Sequence, residues 1–195
     1  NGPVSQNELC YITVGDTKLM AEVIKVNGKN AAVQVFESTR GLKNGNDVEF
    51  EDKMLEATLG PGLLSSSYDG LQNDLTTMTG VFLKRGEYTD PLNHEKLWEF
   101  TPIAKPGDKV VAADWLGEVK EGWLPHKIMV PFAFKGEYTV KSVAEAGQYN
   151  IDKVIAVLTN AEGEDVTVTM WQKWPVKVAV TGYKGKPRPS RMMAP

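Results

Sequence analysis

From Leu9 to about Leu59 the pattern of apolar and polar positions is that of short β-strands. Leu9-Cys-Tyr-Ile-Thr-Val14 is rich in β-formers and stops at Gly15-Asp16. Thr17 to Val26 follows, then Asn27-Gly28, among the strongest two-residue hairpin signals. Ala31, Val33 and Val35 alternate with Ala32, Gln34 and Phe36. Gly41 and Asn44-Gly45 mark turns, and Asp47 to Phe50 and Leu55 to Leu59 close the run. Short strands divided by Gly and Asn turns predict a small β-barrel.

The pattern breaks at Leu59-Gly-Pro-Gly-Leu-Leu-Ser-Ser-Ser-Tyr-Asp-Gly-Leu71. In Gly60-Pro61-Gly62 the proline fixes φ, while glycines can adopt positive φ. Asp69-Gly70 is a second turn signal. These residues predict a constrained loop that carries the chain out of one domain and into another. Asn73 to Gly80 has the start of a short helix, but no long amphipathic face develops. The β rhythm then resumes at Lys109 to Val111, Trp115 to Val119, Lys127 to Val130, Gly136 to Val143, Val154 to Leu158 and Val166 to Trp171, with Glu121-Gly122 read as a turn. All five tryptophans (Trp98, Trp115, Trp123, Trp171 and Trp174) fall in this half, where a second core is expected to bury them. Thr181 to Arg191 is basic and rich in Pro and Gly, the composition of an extended linker. The expected fold class is mainly β, with little helix: a small barrel, then a second barrel or barrel-sandwich.

Composition narrows the function. The 195 residues carry 22 basic and 25 acidic side chains, a net charge of −3 that gives no field for nucleic acid. No run approaches the ~18 apolar residues of a membrane helix, and no signal-peptide pattern opens the sequence, so membrane association is expected to pass through partners. The single cysteine, Cys10, fits a reducing cytoplasm. His94, His126 and Cys10 are too few and too scattered for a zinc set. The phosphate-cradling Gly-x-x-x-x-Gly-Lys-Ser/Thr run does not occur; Gly182-Tyr-Lys-Gly-Lys186 has the wrong spacing and Pro187 follows it. No catalytic, cofactor-binding or metal residue is therefore expected in this chain.

Four stretches, in order and spacing, carry a resemblance. Leu59 to Gln72 resembles the segment joining the N-terminal barrel to the nucleotide-binding domain in the catalytic A subunit of V-type and archaeal rotary ATPases. Val33 to Gly45 is similar to that barrel's last hairpin, and Trp98-Glu-Phe-Thr-Pro102 to the opening of its inserted, non-homologous bulge. His126-Lys-Ile-Met-Val-Pro131 and Trp174-Pro-Val176 are similar to landmarks within the bulge and at its exit. The resemblance implies a barrel over 1–59 that lacks its first strand, a connecting segment over 60–84, the bulge over 85–176 and a linker over 177–195. It implies that Gly60, Pro61, Gly62, Asp69 and Gly70, with Trp174 and Pro175 at the return, set the architecture. The implied parent couples ATP synthesis or hydrolysis to H⁺ or Na⁺ transport, and binds ATP or ADP and Mg²⁺ outside this chain. The implied partners are the B subunits and other A subunits of a hexameric ring, together with peripheral-stalk proteins. The implied location is cytoplasmic, peripheral to the membrane.

A rival reading rests on Pro106-Gly-Asp-Lys-Val110, Leu116-Gly-Glu-Val119, Lys127-Ile-Met-Val-Pro131 and Gly136. This rhythm resembles a stand-alone biotinyl or lipoyl carrier domain, with Lys127 as the modified residue. Such a lysine must stand at an exposed hairpin tip.

Overall fold

The computed structural model describes residues 3–64, 66–77 and 84–181. No helix occurs among them; regular structure is β throughout. The chain divides into two compact units. The first is formed by the described parts of Asn1–Ala57, Thr77–Thr89 and Pro175–Val178. The second is formed by those of Thr58–Thr76 and Asp90–Trp174 and by residues 179–181.

In the first unit β1 (Glu8–Val14), β2 (Thr17–Asn27), β3 (Asn30–Val35) and β4 (Val48–Met54) form one antiparallel sheet in the order β3-β2-β1-β4. Cys10 lies opposite Ala21, and Ile12 opposite Leu19. Cross-strand partners share a face, so these residues form one apolar side, and all four are buried. The sheet is open, with β3 and β4 at its edges, and Val48 and Phe50 on β4 are exposed. The segment from 84 to 89 packs into this unit. Tyr88 Oη donates to Glu37 Oε1 at 2.5 Å and accepts the Met20 N–H at 2.9 Å, while the Gly86 N–H donates to Glu37 Oε2. Lys177, near the far end of the described chain, pairs with the largely buried Glu22 at 2.7 Å.

The hairpin expected at Asn27-Gly28 is present, one residue out of place. Asn27 pairs with Asn30, so the loop is Gly28-Lys29, and Gly28 has φ of +57°. Gly15-Asp16 and Gly122-Trp123 repeat the arrangement, each with a positive-φ glycine in first position. That geometry suits the right-handed twist of the flanking strands.

The chain passes from the first unit to the second along β5 (Glu56–Leu59). The second unit contains β6 (Trp98–Pro102), β7 (Lys109–Val110), β8 (Trp115–Glu121), β9 (Leu124–Met129), β10 (Tyr138–Val143), β11 (Gly147–Tyr149), β12 (Ala156–Thr159) and β13 (Asp165–Val168). Last comes β14 (Gln172–Pro175), at whose end the chain returns to the first unit. Two four-stranded sheets result, β13-β12-β10-β7 and β11-β6-β8-β9. Their inward residues share one core: Phe100, Leu116, Val119 and Ile128 from one sheet, Val110, Val140, Leu158 and Val168 from the other. Two sheets closing on one core make a sandwich, and burial of each large side chain stabilises it by about 1.5–3 kcal/mol.

Three expectations change. Trp98 is buried, but Trp115 is 53% and Trp123 78% exposed, so the tryptophans are not all core. Trp123 occupies the β8–β9 hairpin loop, where nothing can cover it locally. Residues 73–77 form a bridge and turns in place of a helix start; 78–80 lie outside the described residues, as does the linker from 182 onward. The turn expected at Glu121-Gly122 lies at Gly122-Trp123, which leaves Glu121 as the last residue of β8.

Candidate functional site at the Gly-Pro-Gly loop

Gly60 and Pro61 are buried, and Gly62 is partly so. The two glycines are required for different reasons. A Cβ on Gly60 would lie 2.9 Å from Trp171 Cβ and 3.0 Å from Leu92 Cδ1, so the backbone there runs flat against a tryptophan's base. Gly62 meets only ordinary contacts, but its φ of +113° is one that other residues rarely adopt.

The polar groups of this turn are met by one carboxylate. Glu121, 7% exposed, accepts the Gly62 N–H at 2.7 Å and the Leu64 N–H at 3.1 Å through Oε1. Its Oε2 lies 2.7 Å from His126 Nδ1. A buried carboxylate needs such partners to offset its lost hydration. Glu121 reaches the loop because it shares the inward side of β8 with Val119, two residues before it. No sequence signal marks it as the anchor of a loop some sixty residues earlier.

Downstream, Asp69 organises its own turn. Its Oδ1 accepts the N–H groups of Leu71 and Asn73, and its Oδ2 accepts the Asn73 side-chain amide. Gly70 has ordinary φ, and the left-handed residue is Gln72, at +64°. The Gln72 side chain then imitates a neighbouring strand: its amide nitrogen donates to Thr58 O at 2.7 Å, and its oxygen accepts the Thr58 N–H at 2.8 Å. Tyr68 Oη donates to Pro91 O at 3.0 Å. Gly60, Pro61, Gly62, Asp69 and Gly70 thus belong to one folded stretch. Trp174 lies in the same unit, its ring 5.7 Å from that of Phe132. Pro175 falls in the first unit, where its carbonyl accepts the Val178 N–H.

Beside the loop is a cavity of about 180 Å³ lined by Leu59, Gly60, Leu63, Ile128, Met170 and Trp171, with His126 at its wall. It is mostly apolar and smaller than the ~300–1,000 Å³ of typical small-molecule sites. Among the described residues no group of three His, Cys, Asp or Glu side chains is placed to hold a metal, and no helix is long and apolar enough to cross a membrane. Lys127 lies inside β9, bonded to Glu118, its Nζ 4.8 Å from the centre of the Trp115 ring. The carrier reading needs a lysine at a hairpin tip, and the structure gives it no support.

Comparison with known proteins places both units. The family profile described as "ATP synthase alpha/beta family, beta-barrel domain" matches residues 2–52. That described as "ATPsynthase alpha/beta subunit barrel-sandwich domain" matches residues 89–177. The V-type ATP synthase alpha chain of Borrelia turicatae is 47% identical over 195 residues, which is 98% of this chain and 34% of that protein. The protein of the same name from Borrelia recurrentis is 47% identical with the same coverage. That from Treponema denticola is 45% identical, over 98% of this chain and 33% of its own length. The chain thus spans about a third of the length of these relatives.

Proposed function

The chain belongs to the ATP synthase alpha/beta family, and on that footing we propose that it is the non-catalytic N-terminal part of the catalytic subunit of a V-type ATP synthase or ion-pumping ATPase. The observation that carries this reading is the 47% identity to a V-type ATP synthase alpha chain, which extends through both β units. The parent protein binds ATP or ADP and Mg²⁺ through residues outside this chain, since the phosphate-cradling run is not in the sequence. It acts at the cytoplasmic face, peripheral to the membrane, and couples nucleotide chemistry to H⁺ or Na⁺ transport.

Within that protein the roles are architectural. The N-terminal barrel domain over 1–59 joins its neighbours, the B subunits and other A subunits, in the ring. Residues 60–84 lead towards the nucleotide-binding domain, the inserted bulge over 85–176 meets the peripheral stalk, and 177–195 leads back. Gly60, Pro61, Gly62, Asp69 and Gly70 fix the outgoing path, and Trp174 and Pro175 the return.

Two measurements test this. Calorimetry on the 195-residue chain is expected to give no heat of ATP binding; a clear binding isotherm would overturn the non-catalytic assignment. In the parent complex, replacing residues 90–174 with a Gly/Ser linker is expected to leave the ring assembled and to lose the peripheral stalk on purification. A stalk that co-purifies undiminished would overturn the stalk assignment.

A further inference from the structure

His94 lies far in sequence from His126 and Cys10, and the fold sets an acid against each of its ring nitrogens. Its Nδ1 lies 2.8 Å from Asp152 Oδ2 and its Nε2 3.2 Å from Asp90 Oδ2. The other Asp152 oxygen accepts the Trp171 indole N–H at 2.8 Å, and the imidazole meets the Trp171 ring edge-on at 5.7 Å. Asp90 is itself fixed, since its Oδ1 accepts the Leu92 N–H at 3.0 Å. Loop 90–94 matters to its surroundings: Leu92 is 4% exposed and borders Gly60 and Gly62, and the Pro91 carbonyl accepts Tyr68 Oη. All these residues belong to the second unit.

We propose that His94 is a pH-responsive clip that fastens loop 90–94, and with it the wall against which the Gly-Pro-Gly stretch packs, to the turn at Asp152. A neutral imidazole has one N–H and one lone pair. With a carboxylate on each ring nitrogen, only the imidazolium donates to both. On deprotonation one nitrogen turns a lone pair towards a carboxylate, and that contact is lost. The remaining bond to Asp152 then has no charge assistance.

The charged groups around the ring agree. Asp90 faces it from its own loop and Asp152 from the turn that follows β11. Lys173 Nζ lies 6.0 Å from the centre of the Trp171 ring, and on the His94 loop Lys96 is turned to the Trp98 ring, 4.0 Å from its centre. The bond to Asp152, and then the nearby charges of Asp90 and Asp152, raise the His94 pKa above its ordinary value despite partial burial. The Asp152 carboxyl is held below its usual range, first by the His94 bond. With the folded pKa raised, the clip's stabilisation is complete below about pH 6.5 and is lost as pH climbs through the higher folded value.

The test is an NMR titration of the 195-residue chain from pH 5 to 9, following the His94 ring, the Trp171 indole N–H and exchange of the Leu92 amide. His94 is expected to titrate above the ordinary histidine value. The indole shift should follow the same curve, and Leu92 exchange, corrected for its intrinsic pH dependence, should quicken as His94 loses its proton. In Asp152→Asn the side-chain oxygen can still accept the indole N–H while the charge is gone. His94 should then titrate lower, and corrected Leu92 exchange should lose most of its pH dependence. Asp90→Asn provides the same check should the first variant not fold. An indole shift and a corrected Leu92 exchange that stay flat through the His94 titration would overturn the proposal. So would a His94 pKa that neither acid variant lowers.

Discussion

Gly60→Ala probes the closest backbone approach at the loop. The new Cβ would meet Trp171 Cβ at 2.9 Å, Trp171 Cα at 3.3 Å and Leu92 Cδ1 at 3.0 Å. The leucine methyl can swing aside, but the Trp171 atoms sit at the base of a side chain and on the backbone, and they move only if the backbone leading into β14 moves. Overpacking of this kind costs about 1–3 kcal/mol. Against it stands a gain of about 0.4–1 kcal/mol from the alanine's restriction of the unfolded chain. A net destabilisation of about 1–2 kcal/mol is expected. All five tryptophans lie in the second unit, so urea unfolding followed by tryptophan fluorescence reads that unit alone. The variant should lower the midpoint with an unchanged slope. A curve superimposable on that of the parent sequence would refute the reasoning, because it would mean the Trp171 backbone yields at no cost.

Other predictions follow from single contacts. Glu121→Gln keeps an oxygen for the Gly62 and Leu64 N–H groups but loses its charge, and should cost about 1–2 kcal/mol in the same assay; Glu121→Ala, which leaves both donors unpaired, should cost clearly more, and equal losses would count against the anchoring role. Tyr88→Phe removes a hydroxyl that bonds both Glu37 and Met20, and should destabilise the first unit by about 1–3 kcal/mol. Cys10 is buried in that unit, and its burial, with the Glu8 charge, pushes the thiol up to about 11. Its reaction with a disulfide reagent at pH 8 should therefore be slow in the folded chain, fast in urea, and accelerated by Tyr88→Phe. Rapid labelling of the native chain would contradict the burial.

The sequence by itself determined the β class, most of the strands, the hairpin glycines and the family. Each of these rests on neighbours within a few positions: runs of β-formers mark the strands, and Gly15, Gly28 and Gly122 start loops that need positive φ. Even there local chemistry left a one-residue choice of register, which only strand pairing settled at Gly28-Lys29. Trp98-Glu-Phe-Thr101 of β6 does alternate and was not predicted as a strand, whereas β11, at three residues, is too short to show alternation and is defined by its pairing with β6. The side chains that hold the Gly-Pro-Gly stretch were beyond reach for the same reason. Glu121 stands about sixty residues from Gly62, and Asp152 is 58 from His94, so no local pattern links them. Tryptophan content likewise predicts a buried aromatic set, and only the fold could put Trp123 on a hairpin tip in open solvent. Periodicity fixes which side of a strand a residue faces, whereas packing of distant segments decides what, if anything, covers that side.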